Sequence, residues 1–140
     1  KNRPIEQEAE LVHYLLRNEQ KNKSYAYLSE CNNAKRSVLN YRVLGSMKNY
    51  HLLEVSLQTG RHHQIRCQLS KIGSPIKGDL KYGAERSNPD GSICLHARRI
   101  QFEHPVSKQM IDVTAPVPED ILWYEAEAIA EKQKEQTTQL

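Results

Sequence analysis

The run from Tyr50 to Gly83, YHLLEVSLQTGRHHQIRCQLSKIGSPIKGDLKYG, constrains this chain more than any other part of it. Leu53, Val55 and Leu57 alternate with Glu54 and Ser56, the period of a half-buried strand. Thr59-Gly60 breaks that pattern. Ile65, Leu69 and Ile72 then recur at helical spacing, Thr59 is the expected N-cap, Gly73 the stop, and Pro75 prevents continuation. On a helical wheel His62 and Arg66 share one flank of the apolar stripe, while His63 and Cys67 point away. Arg66 is therefore expected at the edge of the core, where an arginine needs a carboxylate partner, because a desolvated charge is costly when unpaired.

The flanking sequence supplies the other elements. Ile5, Ala9, Val12 and Leu16 recur at intervals of four, three and four, with Leu11 and Leu15 beside them, which predicts an amphipathic helix over residues 6–17. Strands are predicted at Ser24–Ser29, Ser37–Leu44 and Tyr50–Leu57, the last two joined by a hairpin loop at residues 45–49. Arg86–Ser92 is rich in turn residues. Arg99–Glu103 and Gln109–Thr114 read as a second hairpin across His104-Pro105, closed off by Pro116 and Pro118. Residues 119–136 have helical composition, but the C-terminal half of that stretch is polar on every face and is expected to fray. No internal repeat or low-complexity tract is present. The expected fold class is α+β, an antiparallel or mixed sheet flanked by helices.

Charge narrows the set of partners. The net charge of +3 is unevenly spread: residues 1–115 hold 18 Lys/Arg against 11 Asp/Glu, whereas residues 116–140 hold 2 against 6. A basic body suits a polyanion, since Lys and Arg gain affinity by releasing counterions from phosphates, although the same balance also serves solubility. No apolar run approaches the ~20 residues of a membrane span, and no signal peptide is visible. Lys1 in place of Met suggests a processed or cut chain. Cys31, Cys67 and Cys94 are odd in number and far apart, which points to free thiols in a reducing cytoplasm.

Five motifs in order carry a resemblance: Thr59-Gly60-Arg61-x-His63-Gln64-Ile65-Arg66; Gly73-x-Pro75-Ile76-x-Gly78-Asp79-x-x-Tyr82-Gly83; Leu95-His96-Ala97; Phe102-x-His104-Pro105; and Ala115-Pro116. Upstream, Asn2-Arg3-Pro4, Asn22-Lys23, and Ala34 ahead of Asn40-Tyr41-Arg42-Val43-Leu44 extend it. Residues 1–123 so resemble the C-terminal portion of the catalytic domain of RluA-type pseudouridine synthases, with 124–140 as an acidic tail. The resemblance implies isomerisation of uridine to pseudouridine in ribosomal or transfer RNA, without metal or organic cofactor. It also implies an Asp nucleophile in an H-R-L-D segment, a Tyr stacked on the base in K-x-Y-x-A, and an Arg that pairs with the Asp. Arg66 matches that arginine.

Neither H-R-L-D nor K-x-Y-x-A lies in these residues. In the family both precede the point where this sequence starts, so the chain is expected to be a catalytically incomplete piece that needs the upstream half of its own domain. Lys23-Ser24-Tyr25 imitates the second segment, but its place in the order makes Tyr25 a strand residue. Of the four aspartates only Asp79 sits in a matched motif, where it is expected to support the loop rather than attack RNA. His62 stands where the family has Thr or Ser. The expected RNA-facing residues are Arg61, His62, His63, Lys77, Lys81 and Arg98, with the N–H groups of the basic helix as a further phosphate site. Adjacent strand positions face opposite ways, so only one of Arg98 and Arg99 is expected to face RNA. His62, His63, His96, His104, Cys67 and Cys94 lack a paired zinc-ligand spacing, so no metal site is expected. Cys67 reads as a packing residue, and Trp123 as an anchor for the C-terminal helix. The alternative reading is a non-catalytic RNA-binding module derived from such an enzyme.

Overall fold

The computed structural model describes residues 2–138. They form two compact units, Lys1–Cys94 and Leu95–Leu140. The first is built on a four-stranded sheet of β1 (Glu8–Asn18), β2 (Lys23–Tyr27), β3 (Lys35–Ser46) and β4 (His51–Leu57), in the order β2-β1-β3-β4. Every pairing is antiparallel.

Strand β1 occupies the stretch that periodicity assigns to a helix, and this is a correction. Its backbone pairs with β3 from Glu8↔Arg42 to Leu15↔Lys35 and with β2 from Tyr14↔Tyr27 to Asn18↔Lys23. His13 and Leu15 are buried, Ala9 and Leu11 pack on the core, and Ile5, the first residue of the supposed helical stripe, is fully exposed. The period that matters is two: Ala9, Leu11, His13 and Leu15 share a face. Leu11-Val12 and Leu15-Leu16 put apolar residues on both faces of a central strand, and such a run satisfies a helical template equally well. Pairing on both sides decides the outcome.

The remaining strands fall close to their expected places. The loop between β3 and β4 closes with Met47 N–H donating to the Tyr50 carbonyl, and a register shift between Val43 and Gly45 marks a bulge just before it. Helix α1 (Gln64–Lys71) is shorter than expected. Thr59 does not cap it. Its hydroxyl accepts from Val38 N–H at 2.9 Å and donates to Gln64 Oε1 at 2.8 Å, and Gln64 Nε2 donates to the Val38 carbonyl at 3.1 Å. The motif's Thr and Gln thus staple the start of the helix to β3. At the other end Gly73 adopts φ +88°, with Ser74 N–H bonded to Leu69 O and Gly73 N–H to Ser70 O, a Schellman cap.

The helix buries its stripe against the sheet. Ile65 and Ile72 pack with Leu39, Tyr41 and Val43, while Cys67 packs with Leu15 and Tyr82. A fully buried side chain such as Leu39 contributes ~1.5–3 kcal/mol relative to exposure. A single 3-10 turn, Leu80–Tyr82, follows the loop after α1.

The second unit is the expected hairpin, β5 (Arg99–Glu103) with β6 (Met110–Thr114), followed by helix α2 (Ile121–Thr138). Asp120 caps α2 by accepting from Leu122 N–H at 2.8 Å. Trp123 meets the His96 ring edge-on at 5.6 Å, and Arg98 pairs with Glu127 at 3.2 Å, so both residues tie α2 to the rest of its unit. The outermost residues of the sequence-predicted tail lie outside the described residues.

Candidate active site

Arg66 is the third residue of α1, in its first turn, and its guanidinium reaches Asp79 beside the 3-10 turn. Its carboxylate partner is Asp79: Nε donates to Oδ2 at 2.9 Å and Nη2 to Oδ1 at 2.8 Å, the bidentate fork of a strong Arg–carboxylate pair. Asp79 is 1% exposed and Arg66 20%. The hydrogen bonds and charge of Asp79 hold the Arg66 guanidinium firmly protonated, against the opposing effect of burial. Asp79 therefore does more than support its loop.

The loop is shaped to bring Asp79 there. Gly78 adopts φ +87°, and a Cβ on it would come within 2.6 Å of the Ser92 carbonyl and 2.7 Å of the Asn88 amide. Only glycine lets the 88–92 turn pack this closely. Asn88 donates to Ser92 O, Cys94 N–H donates to Lys77 O, and Ala84 N–H donates to Asp79 O.

The third hydrogen-bonding edge of Arg66 reaches His63. Nη1 lies 3.1 Å from His63 Nε2, and since a guanidinium only donates, that nitrogen must be the acceptor. The neutral ring then carries its hydrogen on Nδ1, which donates to the Tyr82 hydroxyl at 2.8 Å. The same hydroxyl accepts from Ser24 N–H at 2.9 Å, so Tyr82 keeps its own proton for a further partner. The Tyr82 ring also lies under the Arg66 guanidinium at 4.9 Å. Burial, followed by the charges of Arg66, His62 and Lys81, lowers the His63 pKa to about 4. Burial raises that of Tyr82.

This geometry corrects the helical-wheel reading, in which His63 and Cys67 pointed away. His63 has a left-handed backbone, φ 53° and ψ 29°, so it sits at the N-cap, off the wheel, and its ring turns back toward Arg66. Cys67 is buried with Sγ 3.3 Å from the Ser24 carbonyl, and burial raises its pKa to about 11, which makes it a packing thiol.

The other expected residues divide into two groups. His62 stacks on His63 at 3.7 Å and reaches Ser24 Oγ and Asn22 Oδ1, each at 3.0 Å. Burial lowers its pKa, with Arg17, Arg66 and Lys81 adding to the effect. Lys81 donates to the Asn22 carbonyl at 3.0 Å. Arg66, His62, His63 and Lys81 thus gather around Tyr82 and the β1–β2 turn. Arg61 donates to the Arg36 carbonyl at 3.1 Å. Lys77 lies over the Tyr50 ring and bonds Asn88 Oδ1, serving the loop. Arg98 belongs to the second unit, donating to Ala115 O. Sequence reasoning gave no site role to Tyr82 and too small a one to Asp79, although both lie in Gly78-Asp79-x-x-Tyr82-Gly83. Their spacing of three, one turn apart, was the available signal. Among the described residues, no three His, Cys, Asp or Glu side chains gather as a metal site, and no helix is long and apolar enough to cross a membrane.

Comparison with known proteins gives the chain its family. Residues 2–71, half of the chain, match the family model described as RNA pseudouridylate synthase. The chain belongs to the RluA-type pseudouridine synthase family. It is 38% identical over 87 residues to YlyB of Bacillus subtilis, an uncharacterized RNA pseudouridine synthase, covering 62% of this chain and 29% of that protein. It is 34% identical over 101 residues to ribosomal large subunit pseudouridine synthase D of Haemophilus ducreyi, covering 63% and 31%. Among solved structures, human RNA pseudouridylate synthase domain containing 4 aligns with a TM-score of 0.69 at 20% identity, over 90% of this chain and 57% of that one. Human RNA pseudouridylate synthase domain containing 1 aligns at 0.64 and 23%, over 96% and 62%. These last two show the shared fold. The chain spans less than a third of the length of the curated relatives it matches.

Proposed function

We propose that this chain supplies the arginine half of an RNA pseudouridine synthase active site, and that the intact protein converts uridine to pseudouridine in ribosomal or transfer RNA. The observation that carries the reading is the buried bidentate pair of Arg66 and Asp79 within the family's motifs. An arginine has five N–H groups in a fixed fork. Asp79 takes two of those of Arg66 and His63 one, leaving one on Nη1 and one on Nη2. Those two are free to hold an Asp nucleophile, contributed by a segment outside these residues, ionised and oriented in a partly dry pocket. Asp79 fixes the guanidinium plane, and neutral His63 keeps its Nη1 edge in place. The target uridine must leave its stack to reach such a site, and backbone contacts from Arg61, His62 and Lys81 would offset a few kcal/mol of unstacking.

The test is nucleoside mass spectrometry on RNA treated with the full-length protein. Arg66→Ala is expected to abolish pseudouridine while RNA binding survives, and the 140-residue chain by itself is expected to make none. Near-normal turnover by Arg66→Ala would remove Arg66 from the mechanism.

A further inference from the structure

Two solvent-open cavities flank β2, an edge strand of the sheet: the first reaches Ala26 and Cys67 on the α1 face, the second Leu16 and Tyr27 on the opposite face, and Tyr25 lines both. The first, of ≈ 480 Å³, is lined by Lys23, Lys71 and Lys81 and by no Asp or Glu. The second, of ≈ 520 Å³, is lined by Arg17 and Lys21, again with no carboxylate, and by a second ring, Tyr27. Lys23 Nζ sits 5.4 Å from the ring centroids of both Tyr25 and Tyr82. Lys81 Nζ spans to the Lys21 and Asn22 carbonyls, which fixes the β1–β2 turn against the 3-10 turn, and the first cavity is lined by Tyr82, whose ring lies under the Arg66 guanidinium.

We infer that these cavities form one track for single-stranded RNA, which leads a strand past Tyr82 toward Arg66. Phosphates sit on Lys23 and Lys71 on one side of Tyr25 and on Arg17 and Lys21 on the other, and a base stacks on Tyr25. Cationic walls without carboxylates attract a polyanion through counterion release. An aromatic ring set between two cationic cavities is the arrangement that holds a flexible strand irrespective of base identity, because every base offers a π-face. A duplex keeps its bases stacked inside and has no use for Tyr25. The inference deepens the function proposed above and rests on it. It assigns to Tyr25, Lys23, Lys71, Arg17 and Lys21 a role in delivering the strand that is separate from the chemistry at Arg66.

The test is fluorescence anisotropy of a labelled ten-nucleotide oligouridine with the full-length protein, titrated between about 50 and 200 mM KCl. The double variant Lys23→Gln/Lys71→Gln is expected to bind at least ~10-fold more weakly. Its slope of log affinity against log salt should fall by about 1.4, at about 0.7 per single-strand phosphate contact. Tyr25→Leu is expected to weaken binding about tenfold with the slope unchanged. RNA should also protect the Lys23 and Lys71 amines of the unaltered protein from acetylation, read by peptide mass spectrometry, which needs no variant to fold. Unchanged affinity and slope in both variants, or equal acetylation with and without RNA, would overturn the track. In that case pseudouridine formation by the unaltered protein would leave the function reading standing. An unaltered protein that neither binds RNA nor makes pseudouridine would overturn both.

Discussion

Asp79 shows how much can turn on one side chain. It is almost wholly buried, and its charge is tolerated because the Arg66 fork meets both oxygens. Removing one member of such a pair strands the other without compensation. Asp79→Ala is therefore expected to lower unfolding free energy by about 3–5 kcal/mol in denaturant titration. The double replacement Arg66→Met/Asp79→Leu should recover most of that stability while remaining inactive, which would separate the pair's structural cost from its chemical use. His63 sets a pH dependence beside it. Its pKa of about 4 lies below the 6.5 of an unperturbed histidine, so the folded state resists the proton that the unfolded chain accepts. The stability it contributes is complete above about pH 6.5 and is lost as pH falls toward 4. His62 and His13 are shifted the same way, His13 by burial and the charge of Lys71, so they add to the slope. A His63→Gln variant should show a shallower loss of stability between pH 6.5 and 4 than the parent. An unchanged profile would mean that His63 binds its proton equally readily in the folded and the unfolded chain.

The turns that end α1 and lead to Asp79 place two glycines in the same left-handed region for different reasons. Gly73 at φ +88° has open space where a Cβ would stand, with no atom within 4 Å, so Gly73→Ala meets only backbone strain, about 1–2 kcal/mol. Gly78 at φ +87° would meet the Ser92 carbonyl at 2.6 Å as well. Gly78→Ala should therefore cost clearly more than Gly73→Ala in thermal denaturation and should displace Asp79. Equal costs would show that the 88–92 turn yields without effect. Both glycines were legible as turn residues, but the crowding around Gly78 was not, because Asn88 and Ser92 reach it from a separate loop. The same division runs through the other elements. β3, β4 and the second hairpin were readable because their alternation or turn residues are local. β1 was misread because a strand paired on both sides carries apolar residues on both faces, and nothing local distinguishes that from a helix. Within the site, the need of Arg66 for a carboxylate was readable from its place beside the stripe of Ile65, Leu69 and Ile72. Which carboxylate it found, and the return of His63 toward it, depended on a loop closing 13 residues away and on a backbone angle no periodicity encodes.

Taken whole, the chain is a sheet-and-helix unit that holds Arg66 rigidly and a hairpin-and-helix unit that follows it in sequence. Motifs from residue 59 to residue 83 converge on one guanidinium, and the family model spans the strands and helix that place it. Under the function proposed above, the labour in the intact protein is divided: Arg66, Asp79 and His63 orient, a carboxylate from elsewhere attacks, and the basic surface around Lys23 and Tyr25 delivers the strand. A non-catalytic descendant would keep the delivery and lose the attack. The most direct measurement compares pseudouridine yield and RNA affinity for the full-length protein and its Arg66→Ala variant on the same RNA. The account predicts pseudouridine from the unaltered protein, none from the variant, and RNA affinity within a few-fold between them. Pseudouridine from the variant at a near-normal rate would contradict it, as would the absence of product from the unaltered protein on ribosomal and transfer RNA alike.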